Sequence, residues 1–186
     1  MTLKELKRKV LGLIEELNPN NPLLTDDPDI SAKINDVINQ VMFDLVRMKK
    51  TPKYVEMAVT EGDTIDFAAL EKECGYEVYQ IAKVGGIETA LKADGTIIKA
   101  LENGTAEVEF YVFPEAITDK TKDSYEFELT ADVLEIMPYG VAADLLKSDV
   151  SAEYGAIYAQ EYEKKLQRLD PRYVMGSIYI SGGVTL

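Results

Sequence analysis

The spacing of apolar residues changes twice along this chain, and those two changes limit its fold more than any single motif. Up to about residue 50 the apolar positions recur every three or four residues. Leu3, Leu6, Val10, Leu13, Ile14 and Leu17 form one such stripe, and Ile30, Ile34, Val37, Ile38, Val41, Leu45 and Met48 form a second. From about residue 53 to 130 the period drops to two, and Tyr, Val, Thr and Gly become frequent. Helical spacing returns at Thr130 or Ala131. The first period gathers apolar side chains on one face of a helix, and the second gathers them on one face of a strand. An α+β fold is therefore expected: a helical bundle, made of an N-terminal helical pair plus C-terminal helices, with an inserted small antiparallel β domain. The expected bounds are 1–52 and 131–172 for the bundle core, 53–130 for the β domain and 173–186 for a C-terminal arm.

Local signals sharpen these elements. Thr2 with Glu5 three residues on makes a capping box for the first helix. Asn18-Pro19-Asn20-Asn21-Pro22 is expected to stop it, because proline disfavours a helical residue before it. Asp27 followed by Pro28 marks the start of the second helix, and Thr51-Pro52 its end. Strands are predicted at Tyr54–Thr60, Tyr76–Val84, Thr89–Lys92, Thr96–Leu101, Ala106–Phe113 and Tyr125–Leu129, with a short helical turn at Phe67–Cys74. Asn103-Gly104 and Asp94-Gly95 read as hairpin turns. Pro138 predicts a break, with the main helix over Tyr139–Ser148 and Val141, Ala142, Leu145 and Leu146 inward. A last helix over Ala152–Leu169 places Tyr154, Tyr158, Tyr162, Leu166 and Leu169 on one face.

Charge and composition narrow the chemistry. The chain has 186 residues, 33 acidic and 20 basic, for a net charge of −13. Such a balance repels nucleic-acid phosphates and anionic membranes, so neither sequence-specific nucleic acid nor a membrane is an expected partner. The one basic cluster singled out, Arg47, Lys49 and Lys50, closes the second helix, where cations suit the helix dipole. No window has the roughly 18 apolar residues of a membrane helix. The first residues lack an uninterrupted apolar core and a cleavage site, so no signal peptide is expected. Cys74 is the single cysteine, which suits a reducing cytoplasm and a small apolar packing role.

No histidine occurs, which removes His-based triads and HExxH zinc sites. There is no GxGxxG and no GxxxxGK[ST], so nucleotide phosphates have no recognisable cradle. Asp26, Asp27 and Asp29 share a loop that could hold Ca²⁺, but EF-hand spacing fails and helix capping accounts for them. Glu107 and Glu109 could pair as glycosidase carboxylates. Alternation with Val108 and Phe110 makes them the solvated face of a strand instead. Tyr154, Tyr158 and Tyr162, four residues apart, read as helix packing rather than a stacking platform. No catalytic residue, metal site or cofactor is expected.

The final segment stands apart. From Tyr173 to Leu186 no side chain is charged, and Tyr173, Val174, Met175, Ile178, Tyr179, Ile180 and Val184 would risk edge pairing if left in water. Two readings remain: a strand added to this chain's own sheet, or an arm on a neighbouring subunit or partner. The second makes these seven residues the candidate interaction site.

The order of parts resembles the head–tail connector, or adaptor, proteins of tailed bacteriophages and prophages. The resemblance lies in GTAEVEFYVFPEAIT, a strand ending in an aromatic-Pro turn, then YEFEL, then MPYGVAADLLKSD and the helix AEYGAIYAQEYEKKLQRLD. These pieces span Gly104–Asp170, and the N-terminal half matches in layout alone. The resemblance implies a helical core and a ring of twelve copies below the portal protein. It further implies contact with a stopper or tail protein, a C-terminal segment touching portal or next subunit, and no catalytic residues. It places the chain in the neck of the virion, assembled in the bacterial host cytoplasm. Two other readings stay open: another neck role such as a stopper, or a ligand- or carbohydrate-binding β module on a helical base. Tyr76, Tyr79 and Tyr111 would be the aromatic candidates of that module.

Overall fold

Among the described residues, helices lie at both ends and two small antiparallel sheets lie between them. The computed structural model describes residues 1–17, 25, 27–91, 98–147 and 152–169. The fold is α+β with an inserted small β domain.

Helix α1 (Leu3–Leu13) starts at the capping box read from the sequence. The Thr2 hydroxyl accepts from the Glu5 N–H at 3.2 Å, and the Glu5 carboxylate accepts from the Thr2 N–H at 2.9 Å. The helix ends earlier than expected. Glu15 takes a left-handed φ of 60°, and the Glu16 N–H reaches back to the Leu11 carbonyl at 2.9 Å. That bond closes the helix in the Schellman manner, with Glu where glycine is usual. Leu17 therefore lies outside α1 and is 39% exposed. Helix α2 (Pro28–Met48) begins as predicted, with an Asp27 oxygen accepting from Asp29 N–H and Ile30 N–H at 2.8 and 3.2 Å. Its stripe buries Ile30, Ile34, Ile38, Val41 and Leu45, while Met48 turns out to solvent.

The β unit comprises β1 (Lys53–Val59), β2 (Thr64–Ile65), α3 (Phe67–Cys74), β3 (Val78–Gly85), β4 (Thr89–Leu91), β5 (Ile98–Ala100) and β6 (Gly104–Val112). One sheet has the order β1-β6-β3 and the other β2-β5-β4. Inward positions of both sheets (Val59, Ile65, Val78, Ile98, Ala106, Val108 and Phe110) share a core with Leu70 of α3. Cys74 is only half-buried at its rim. Asn103-Gly104 is not a hairpin turn, because β5 and β6 belong to different sheets. Asn103 instead accepts from the Glu61 N–H at 2.7 Å, and a Cβ on Gly104 would sit 2.8 Å from Ile87. Glycine is needed there for close packing. Asp94-Gly95 lies outside the described residues.

Tyr125–Leu129 is not a strand of either sheet. The Tyr125 and Asp123 carbonyls accept from Leu3 N–H and Lys4 N–H at 2.8 and 3.0 Å, and the Phe127 N–H donates to Met1 at 3.3 Å. These bonds satisfy the free donors at the start of α1. Phe127 is buried among the helices, with Tyr125 and Leu129 packed beside it. The alternating side chains therefore serve the bundle rather than a ladder.

Helix α4 (Ala131–Leu145) runs through Pro138 without the expected break. Proline removes one backbone bond, but Pro138 is buried, and α4 packs against α1, α2 and α5 (Ala152–Leu169). Tertiary contacts outweigh the local penalty. Val141, Ala142, Leu145 and Leu146 are buried as predicted. On α5, Tyr158, Tyr162, Leu166 and Leu169 face the core, whereas Tyr154 is 64% exposed.

Gly140 marks a tight crossing in the bundle. A Cβ there would meet Tyr162 at 2.8 Å and Val41 at 2.9 Å. Gly140→Ala should therefore lower stability by about 1–3 kcal/mol through overpacking, read as a fall in the thermal or denaturant midpoint.

Candidate functional site

Where the β unit meets the bundle, aromatic and cationic side chains collect. The C-terminal half of α2 supplies Phe43, Val46 and Arg47, and the residues just after it supply Lys49 and Lys50. The sheet supplies Tyr79, Gln80 and Tyr111, and the chain leaving β6 supplies Phe113. Tyr79 is at the centre. Its ring lies 4.6 Å from Phe113 and 6.1 Å, stacked, from Tyr111. Its hydroxyl donates to the Val46 carbonyl at 3.2 Å. That carbonyl is among the last four of α2, which have no partner within the helix. Burial raises the Tyr79 pKa, with the neighbouring Tyr111 adding to the rise. Phe43 closes on Phe113 at 4.9 Å from the helix side.

The cations surround this aromatic group. Arg47 lies over Phe113 at 5.0 Å, Lys50 over Tyr111 at 5.4 Å and Lys53 over Tyr76 at 4.8 Å. Each such contact contributes about 0.5–1 kcal/mol when exposed. Lys50 also donates to Gln80 at 2.8 Å, and Lys53 pairs with Glu128 at 3.7 Å. Lys49 pairs with Asp132 at 3.0 Å and so ties the end of α2 to the start of α4. The cluster read from sequence as a helix-dipole device thus also binds the two units together. A hollow of about 140 Å³ beside it is lined by Val46, Lys53, Tyr76, Val112, Pro114 and Val133, among others.

A second surface lies on the outward side of the β1-β6-β3 sheet. Tyr54, Glu56, Lys83, Glu107 and Glu109 line a shallow groove of about 470 Å³. Glu56 stands opposite Glu107 in the ladder, and Lys83 opposite Glu109. Glu107 and Glu109 are thus the solvated strand face expected for them, and like charges face each other across β1 and β6. A third surface is the outer side of α1, with Lys4, Arg8 and Lys9 exposed and Lys7 half-buried. This group corrects the reading of Arg47, Lys49 and Lys50 as the one basic cluster. Its members were legible in the sequence as a run of cations within the first helix.

The remaining candidates separate. Asp27 caps α2, Asp29 lies in its first turn, and Asp26 lies outside the described residues. Among the described residues no group of three or more His, Cys, Asp or Glu could hold a metal ion. Tyr79 and Tyr111 stack, while Tyr76 lies apart from them under Lys53, and cations or aromatic neighbours already cover part of each ring. Tyr173, Val174, Met175, Ile178, Tyr179, Ile180 and Val184 all lie outside the described residues. Phe43, Phe113 and Gln80 were not anticipated as part of a site. The only hint in sequence was the aromatic-Pro ending of β6. Among the described residues no helix is long and apolar enough to cross a membrane. In comparisons with known proteins, no family model and no curated protein matches the chain.

Two measurements probe the junction. The Thr130 hydroxyl and the Lys49 ammonium lower the Asp132 pKa from 3.8 to about 2. A depressed carboxylate stabilises the fold above its unfolded pKa and loses that contribution as pH falls through the folded one. Asp132→Asn should therefore be less stable than the parent at neutral pH, with the gap closing between pH 3.8 and about 2. Denaturant titrations across that range check it. Tyr79→Phe keeps the ring and removes the bond to Val46, so it should cost about 0.5–1.5 kcal/mol.

Proposed function

We propose that this chain is a structural subunit of the neck of a tailed-phage or prophage virion: a head–tail connector that forms a ring and joins the portal to the next neck or tail protein. The observation that carries this reading is the order of parts. A helical pair precedes an inserted β unit, whose last strand ends in Phe113-Pro114, and two helices built from MPYGVAADLL and AEYGAIYAQEYEKKLQRL complete the bundle. That order, with those segments, is the one that resembles the connector family. The clusters at the junction support it, since their charged and aromatic groups are engaged in holding two units together. In this reading the protein is not an enzyme, needs no cofactor and acts in the virion neck after assembly in the host cytoplasm. A stopper, the other neck role, would share these features and differ in lacking direct portal contact.

Residues 173–186 are the arm of this reading, which packs its apolar side chains on the portal or an adjacent subunit. Burying a few such side chains supplies several kcal/mol, at about 25 cal/mol per Å² of apolar area, before ordering costs. Sedimentation of the full chain with its portal should give a complex of many subunits. Truncation after Arg172 should leave a folded chain that no longer joins it. Normal portal binding by the truncated chain would remove the arm from this account. A full chain that never binds portal would remove the connector reading itself.

A further inference from the structure

Two faces of opposite charge stand out among the described residues. The outer face of α1 carries Lys4, Arg8 and Lys9, and none of them forms an ion pair with another described residue. The one acid on that face, Glu5, is held by the Thr2 N–H in the capping box, and the charge of Lys9, four residues on, also favours its ionised form. The sheet groove carries Glu56, Glu107 and Glu109 against a single Lys83, with Tyr54 standing at its rim, 71% exposed. In a chain of net charge −13, gathering cations on one helix while carboxylates crowd one strand face is a segregated arrangement.

We propose that the α1 face of one copy docks into the sheet groove of the next. The inference rests on the reading of the chain as a ring subunit and names the contact that closes the ring. Lys4 and Arg8, at i and i+4, project from one side of the helix, and Lys9 is exposed further round its outer surface. The groove offers three carboxylates on two adjacent strands. Bringing them together relieves the Glu56–Glu107 juxtaposition and pairs the α1 cations at once. Tyr54 gives the contact an amphipathic aromatic, the residue type enriched at interface centres. The two faces are different patches, so the contact is heterologous, which is the geometry that generates rings.

Charge exchange on the full-length chain tests this, with mass in solution read by light scattering and folding checked by circular dichroism. Lys4→Glu, Arg8→Glu and Lys9→Glu together should reduce the assembly to monomers. Glu56→Lys, Glu107→Lys and Glu109→Lys together should do the same, and both sets in one chain should restore it. Assembly of the parent should weaken about tenfold or more between about 0.05 and 0.5 M salt, because exposed charge pairs are screened. If a reversal misfolds the chain, the milder set Lys4→Gln, Arg8→Gln and Lys9→Gln and the salt series decide. Unchanged assembly in the folded reversal or Gln variants, or assembly insensitive to salt, overturns the contact and leaves the ring reading intact. So does dissociation by both sets without restoration in the combined chain. Retardation of duplex DNA that depends on the α1 cations, with self-assembly unaffected, also overturns it and assigns that face to a polyanion. A parent that stays monomeric alone and with portal ends the ring reading and the contact together.

Discussion

The return path from residue 113 to 129 is what lets this chain have a bundle at all. An insertion separates α2 from α4 by roughly eighty residues, and closing so long a loop costs entropy that the bundle must offset. The chain does so with a strap fastened at several points. Phe113 meets Phe43 on α2. The Asn39 side chain accepts from the Ile117 N–H at 2.7 Å and donates to its carbonyl at 2.8 Å, so one amide side chain imitates a strand pair. Asn35 donates to Asp119 at 2.9 Å. Further along, Asp123 and Tyr125 cap α1, and Ile117 and Phe127 enter the helical core. Buried backbone groups need partners, and here a segment without secondary structure of its own finds them on helices α1 and α2.

The strap also sets how the β unit is held. Phe113 is its first residue and a member of the aromatic group around Tyr79. The junction is therefore continuous with the strap, and both are anchored on α2, the junction at Phe43, Val46 and Arg47 and the strap at Asn35 and Asn39. A helix end normally leaves carbonyls to water; this one gives the Val46 carbonyl to Tyr79 and its terminal lysines to Gln80, Asp132 and the Tyr111 ring. Most single contacts in this set are partly exposed and individually worth little. Their number and their common anchoring on one helix end give the β unit a defined orientation, which a subunit of a fixed assembly requires.

Much of this was legible from spacing alone. The α1 and α2 caps, the α5 limits and the inward row of α4 follow from Thr2, Asp27-Pro28 and the positions of Val141 and Leu145. What failed did so where tertiary contacts overrule local preference. Glu15 ends α1 in a conformation usually reserved for glycine, so no punctuation marked it. Pro138 stays helical because three neighbouring helices hold α4 around it. Tyr125–Leu129 alternates like a strand, yet its backbone partners are the start of α1, a pairing that sequence periodicity cannot distinguish from a sheet ladder. Asn103-Gly104 has hairpin chemistry but joins strands of different sheets, since the choice of partner strand is non-local. The Tyr76, Tyr79 and Tyr111 group could be listed from sequence. Its engagement with Arg47, Lys50 and Lys53 could not, because that depends on where the β unit docks.

The distribution of charge carries a consequence for assembly. A face crowded with carboxylates repels its own copy, and so does a face of cations, so neither favours a two-fold contact with itself. The sheet face and the α1 face are of opposite sign and belong to different units of the fold. Attraction between copies is then greatest when unlike faces meet, head to tail, and each added copy presents the same pair of faces to the next. The angle between the two faces decides whether that series closes into a ring or continues as a filament. That angle is fixed by the orientation of the β unit on α2, and hence by Tyr79, Phe113 and the strap that follows it. In the proposed ring, the internal contacts at the end of α2 and the contacts between copies would be parts of one constraint: a loosened junction would alter closure before it unfolded either unit.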